Sequence, residues 1–312
     1  MGTMSMDTLK DALKSLAQSL QVSTIFPAWL FVMMNFYFIV PLFAPTFDLS
    51  SIITIAWLIS LTLMLSYTLY AFNFPLIRLF EGYKLQDSDF FSRLLQKKLE
   101  KYRILKHEPK KQREFDQDYP CMEDRVLPTK IGNTIAAFED YAYTRYRMDA
   151  IALWPRLVPV LKKGEFLDYV VQEKAVFDFL LNTCVVVAVL GLEFFYRSLF
   201  LADWGNLFFV IVFVPVALFV LYEGVYIAAR QWGTVVRVAF DLYRHDLAQR
   251  LCMRPADTFE KETENWAKIS HFLLYRDMKR YLRNDEVFIP QSHLLQFQKI
   301  VANLESRASL DY

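Results

Sequence analysis

Three cysteines, eight glycines and four histidines are all that 312 residues hold of those types, and each scarcity closes a class of function. Cys121, Cys184 and Cys252 stand far apart, so they make neither a disulfide framework nor a metal motif, and a reducing compartment suits them. His107, His245, His271 and His293 have no metal-ligand spacing. No Gly-x-Ser-x-Gly elbow and no HExxH pair occurs, and the glycine-poor turn Leu127–Asn133 (LPTKIGN) lacks the Lys-Ser/Thr ending of a phosphate-binding loop. The expectation is a protein that is not an enzyme and holds no cofactor or metal. A net charge of +1 gives no general case for nucleic acid as a partner, and strand signals are nearly absent, which leaves an all-α chain.

What the chain has in abundance is long apolar runs. Ser23–Phe47, Ser51–Asn73, Val176–Leu201 and Asn206–Ala229 are each about 22 to 26 residues long, and at ~1.5 Å per residue each would cross a hydrocarbon core of ~30 Å. The expected fold is a polytopic membrane protein with four transmembrane helices in two hairpins, 23–73 and 176–229. An amphipathic helix over 1–22 precedes them, with Leu9, Leu13, Leu16 and Leu20 on one stripe. Lys and Arg avoid the two short reversals Ala44–Ser50 and Leu201–Gly205 but mark the other flanks, at Lys10, Lys14, Arg78, Lys84, Lys174, Arg230 and Arg237. That bias puts both termini, the segment 74–175 and the tail 230–312 in the cytoplasm. Segment and tail together would form one helical cytoplasmic domain.

Within that domain the pattern predicts a charged helix from Ser88 to Leu105, whose Lys97, Lys98, Lys101, Arg103 and Lys106 read as a solvated face. Lys106–Pro128 reads as an exposed linker, because charges outnumber apolar positions. Helix resumes after Gly132 and over Ile151–Leu161, then over Val235–Leu251. A further helix opens at Asp257, with Glu260 completing a capping box, and a last one follows Pro290.

Two sets of residues carry candidate chemistry. In the spans, where a charge exposed to lipid costs a few kcal/mol, Glu193 and Arg197 are spaced for an ion pair within one helix or form a charged ring at the outer mouth of an oligomeric pore, Glu223 contacts another helix or faces water, and Asn35 and Asn182 bond neighbouring helices. On the cytoplasmic side, Lys130, Arg145, Arg147 and Arg156 interleave with Tyr141 and Tyr143, a combination able to bind phosphate and stack a base. Packing between helices is the alternative for the second set, since Glu139, Asp140 and Asp149 nearly balance its charge.

The strings LPTKIGN, ED at Glu139–Asp140 and DAIALWPR at Asp149–Arg156 resemble a box found in a largely uncharacterised group of bacterial four-span membrane proteins. The layout is also similar to the membrane effectors of bacterial antiphage systems of the Hailong type. That resemblance implies the bacterial inner membrane, an oligomeric channel and control by an oligonucleotide from a partner nucleotidyltransferase, although none of that family's ligand residues maps onto positions here. The function expected is a homo-oligomeric, channel-like effector in the lipid bilayer, with a tetramer as the simplest copy number, gated by a nucleotide or oligonucleotide. Four spans with so few polar groups need several copies to enclose an aqueous path. A non-conducting scaffold that docks a soluble partner protein stays open as the alternative, and a small transporter is the third reading, disfavoured by the lack of paired broken helices.

Overall fold

The computed structural model describes residues 22–43, 51–83, 89–162 and 165–275; the expected helices over 1–22 and after Pro290 lie outside these. Among the described residues the fold is all-helical, without strands. Three helices are long and apolar enough to cross a membrane: Ile52–Ala71, Phe166–Phe200 and the 47-residue Trp204–Arg250. The chain divides into two compact units. Unit 1 takes in the described residues of Met1–Ala136 with Val170–Gly233, and unit 2 those of Ala137–Tyr169 with Thr234–Tyr312.

Unit 1 begins with α1 (Val22–Phe38), 17 residues long, and the short α2 (Val40–Phe43) after a turn at Ile39. Helix α3 (Ile52–Ala71) packs along α1, and α4 (Asn73–Glu81) follows a break at Phe72 just before Pro75. Thr24 bonds Ser66 at 2.8 Å while Val32 and Phe36 cluster with Leu58, so α1 and α3 run antiparallel. Helix α5 (Asp89–Lys106) and α6 (Gln112–Asp118) come next, and unit 1 then takes the first turns of α7 (Lys130–Tyr146). Unit 2 holds the rest of α7 and α8 (Ala150–Leu161). Helices α9 (Phe166–Phe200) and α10 (Trp204–Arg250) each contribute to both units, and α11 (Phe259–Tyr275) packs on α8 within unit 2.

Proline explains the polar ties between α1 and α9. Pro27 has no N–H, so the Ser23 carbonyl one turn earlier lacks its helical donor; Asn182 Nδ2 supplies one at 3.2 Å. Asn35 Nδ2 donates to Glu193 Oε2 at 2.9 Å, and Arg197 Nε donates at 3.0 Å to the Phe38 carbonyl at the end of α1. The three ties are 159, 158 and 159 residues apart in sequence, a constant offset that only parallel helices in register can give. Helix α10 returns antiparallel to α9 after a three-residue reversal, and Gly191 permits the approach: a Cβ there would stand 2.5 Å from Val214 Cγ1. Replacing Asn182 with Leu removes the Nδ2 donor to the Ser23 carbonyl, and thermal unfolding in detergent is expected to show a loss of about 1 kcal/mol. An unchanged midpoint would remove this role.

Three sequence expectations change. The segment from Lys106 to Pro128 is no exposed linker: Phe115, Tyr119 and Val126 are buried with Tyr102 and Leu105 of α5, and Tyr102 Oη donates to the Cys121 carbonyl at 2.8 Å. Its apolar residues are sparse but converge on one helix face, which a count of charges does not reveal. Helix α11 is capped by Thr258, whose Oγ1 accepts from the Lys261 amide, rather than by Asp257. Glu193 and Arg197, spaced for an ion pair within one helix, each reach across to α1.

Candidate functional site: a lysine-rich cavity beside the membrane helix

The LPTKIGN string is a joint. Thr129 caps α7, accepting from the Gly132 amide at 2.9 Å and donating to the Glu81 carbonyl at 3.0 Å. Gly132 is required by that close approach, since a Cβ would lie 2.4 Å from Glu81 O. Asn133, only 1% exposed, accepts from the Leu127 amide and donates to the Leu127 and Thr129 carbonyls at 2.7, 2.7 and 2.8 Å. The end of α4, turned by Gly82 at φ +89°, is thereby seated against the start of α7.

This joint sets Lys130 against α10 near the end of its apolar run. Its Nζ lies 2.5 Å from Glu223 Oε1 and 5.4 Å from the centre of the Tyr226 ring. On the same face of α10, Tyr226 donates to Asp118 Oδ2 at 2.9 Å, Arg230 Nε stands 3.2 Å from Asp118 Oδ1, and Arg230 also bonds Gln117. Helix α5 adds Lys98 and Lys101, the latter 3.9 Å from Glu114. Between these groups lies a cavity of about 110 Å³ with Lys98, Lys101, Lys130, Glu114, Asp118 and Tyr226 in its wall.

Its electrostatics favour an anion. Burial holds the Lys98 ammonium below its usual range of 10.5, and the neighbouring Lys101 and Lys130 push it further down, against a partial pull from Glu223 and Asp118. Asp118 is raised by burial, opposed by the Tyr226 hydroxyl and Arg230. Burial, with the Asp118 and Glu114 carboxylates, lifts the Tyr119 phenol to about 12. A phosphate-sized anion would relieve the crowding of three ammonium groups. No family model, no curated protein and no solved structure matches the chain. The site therefore rests on its own geometry.

The remaining tyrosine and arginine candidates belong to unit 2 and do not share one surface there. Tyr141 and Tyr146 both donate to the Asp241 carboxylate, at 2.9 and 2.7 Å, with Arg237 over the Tyr141 ring and Arg244 over Tyr146. Burial first and Asp241 second raise both phenols. Tyr143 and Arg147 stack at 5.5 Å and line an open cavity of about 450 Å³ with Asp149, Glu264, Lys268 and His271. Arg145 is exposed, and Arg156 turns back to the Ala152 carbonyl at 2.6 Å. Asp149 of the DAIALWPR string caps α8 through the Ala152 amide at 2.7 Å.

Sequence reasoning found Lys130 and Glu223 separately and missed that they pair. It also assigned Lys98 to a solvated face, whereas the structure half-buries it. A signal was present in the i, i+3 spacing of Lys98 and Lys101, matched by Glu223, Tyr226 and Arg230 at i, i+3 and i+7 on one face of α10. Among the described residues no cluster of His, Cys, Asp or Glu could hold a metal ion.

Proposed function

We propose that the chain is a four-span, homo-oligomeric, channel-like membrane effector of the bacterial inner membrane, gated at its cytoplasmic face by an anionic, phosphate-bearing ligand. The resemblance to antiphage effectors supplies a nucleotide or oligonucleotide as the ligand class. The observation that carries the reading is the Lys130–Glu223 pair: a cation in the wall of the cavity is also the partner of a carboxylate on α10. An anion that recruits Lys130 leaves Glu223 uncompensated near the end of an apolar run, where its cost must be met by water or by movement of α10.

Conductance in planar bilayers, measured with a short oligonucleotide as probe, tests this. Glu223→Gln is expected to uncouple conductance from the probe, shifting the half-maximal concentration at least tenfold, while Lys98→Ala weakens probe binding itself. Absence of conductance under every condition would overturn the channel. A pH arm uses inorganic phosphate above about pH 8, where phosphate is already dianionic. Because Lys98 is lowered, its charge is present below its depressed pKa and disappears before pH 10.5, so phosphate affinity is expected to fall earlier in wild type than an ordinary lysine would allow. Lys98→Ala abolishes that early fall.

A second reading, a non-conducting anchor that docks a soluble protein, draws on a specific observation. Asn35, Glu193 and Glu223 are engaged by partners inside the chain, so the polar groups expected at a pore are for the most part answered within it. A pore would then be lined by the outward faces of α3 and α10, α3 offering the exposed hydroxyls of Ser60 and Thr68.

A further inference from the structure

Helices α1, α9 and α10 of unit 1 enclose a second cavity, of about 330 Å³, within the size range of pockets that hold small ligands. Along α9 it runs from Val187 to Arg197, which at ~1.5 Å per residue is about 15 Å, half the depth of a hydrocarbon core. A groove of this volume and length suits a thin aliphatic chain better than a helix about 10 Å across.

The wall is apolar except at one end, where Arg197 and Asn206 stand beside the reversal between α9 and α10. Asn206 is committed to Asp203, which caps α10. Arg197 spends only its Nε, on the Phe38 carbonyl, and its two terminal nitrogens have no partner among the described residues. Glu193, the nearest acid on the same helix, is held by Asn35. A guanidinium with two free terminal nitrogens thus sits at one end of an apolar groove about half a hydrocarbon core in length.

We propose that this cavity is a binding site for a phospholipid, with one acyl chain lying between α1, α9 and α10 and the phosphate paired with Arg197. Gly191 keeps the floor narrow by letting α10 approach α9, and Val210 lines the wall midway, so a larger side chain there competes directly with the acyl chain. The site stands independently of whether the protein conducts.

The test is native mass spectrometry with a phosphorus assay on full-length protein purified in mild detergent and washed to remove annular lipid. Wild type and Arg197→Lys are expected to retain one phospholipid per chain. Arg197→Gln and Val210→Trp should each retain at least tenfold less while eluting as wild type does on size exclusion. Equal retention in all four proteins, retention of detergent alone, or loss in Arg197→Gln without loss in Val210→Trp would overturn the proposal. Should Val210→Trp elute aberrantly, competition of the retained lipid by a single-chain lysophospholipid decides the same question, no displacement counting against it.

Discussion

Asn133→Ala is expected to destabilise unit 1 by about 3 kcal/mol, read as a lowered thermal midpoint in detergent and faster amide exchange at Leu127. The side chain is almost wholly buried and answers three backbone groups of one turn: the Leu127 amide, the Leu127 carbonyl and the Thr129 carbonyl. Truncation leaves all three without partners in a place water reaches poorly, at roughly 1 kcal/mol or more for each. Asn133→Asp separates hydrogen bonding from volume. It keeps the acceptor for Leu127 N but sets a carboxylate against two carbonyl oxygens, so it should be no better than Ala at neutral pH. If Asp restored stability, the donor role assigned to Nδ2 would be wrong.

Asp241→Ala is expected to cost unit 2 about 3 kcal/mol, because the carboxylate accepts from the Tyr141 and Tyr146 hydroxyls, and hydrogen bonds to charged groups are worth about 1.5–3 kcal/mol each. Asp241→Asn should cost less, since one oxygen still accepts. It also offers a readout independent of stability. Both phenols are raised by burial and, next, by Asp241, so the neutral amide is expected to bring their ionisation back toward the ordinary value without reaching it. The sign for stability follows: a raised phenol contributes stability that is complete below about pH 10 and lost as pH climbs through the folded value. Alkaline titration followed by phenolate absorbance checks this, and an unshifted curve in Asp241→Asn would show that burial alone sets these phenols.

Local regularities were legible in the sequence and long-range convergence was not. The apolar runs announce α3, α9 and α10, and Asn35 and Asn182 could be read as interhelical donors because a polar amide in such a run needs a partner. The LPTKIGN string was legible as a turn but not as a seat for α4, since the groups that demand Gly132 and Asn133 include Glu81, nearly 50 residues earlier. Lys130 and Glu223 were singled out separately and not as a pair: their separation of 93 residues carries no local trace. The cluster of Tyr102, Phe115 and Tyr119 was hidden by the charges between its members.

The constant offset between α1 and α9 has a temporal meaning. At translation rates of about 5–20 residues per second, the roughly 160 residues that separate Ser23, Asn35 and Phe38 from Asn182, Glu193 and Arg197 take about 8 to 30 s to emerge. For that interval the Ser23 carbonyl is without the Asn182 donor, the Asn35 amide has only the Phe31 carbonyl of its own helix, and the Phe38 carbonyl is without Arg197. These groups gain their remaining partners only when α9 arrives in register. The last of these handovers is made by Arg197, so the first helix is complete only when α9 itself is all but finished.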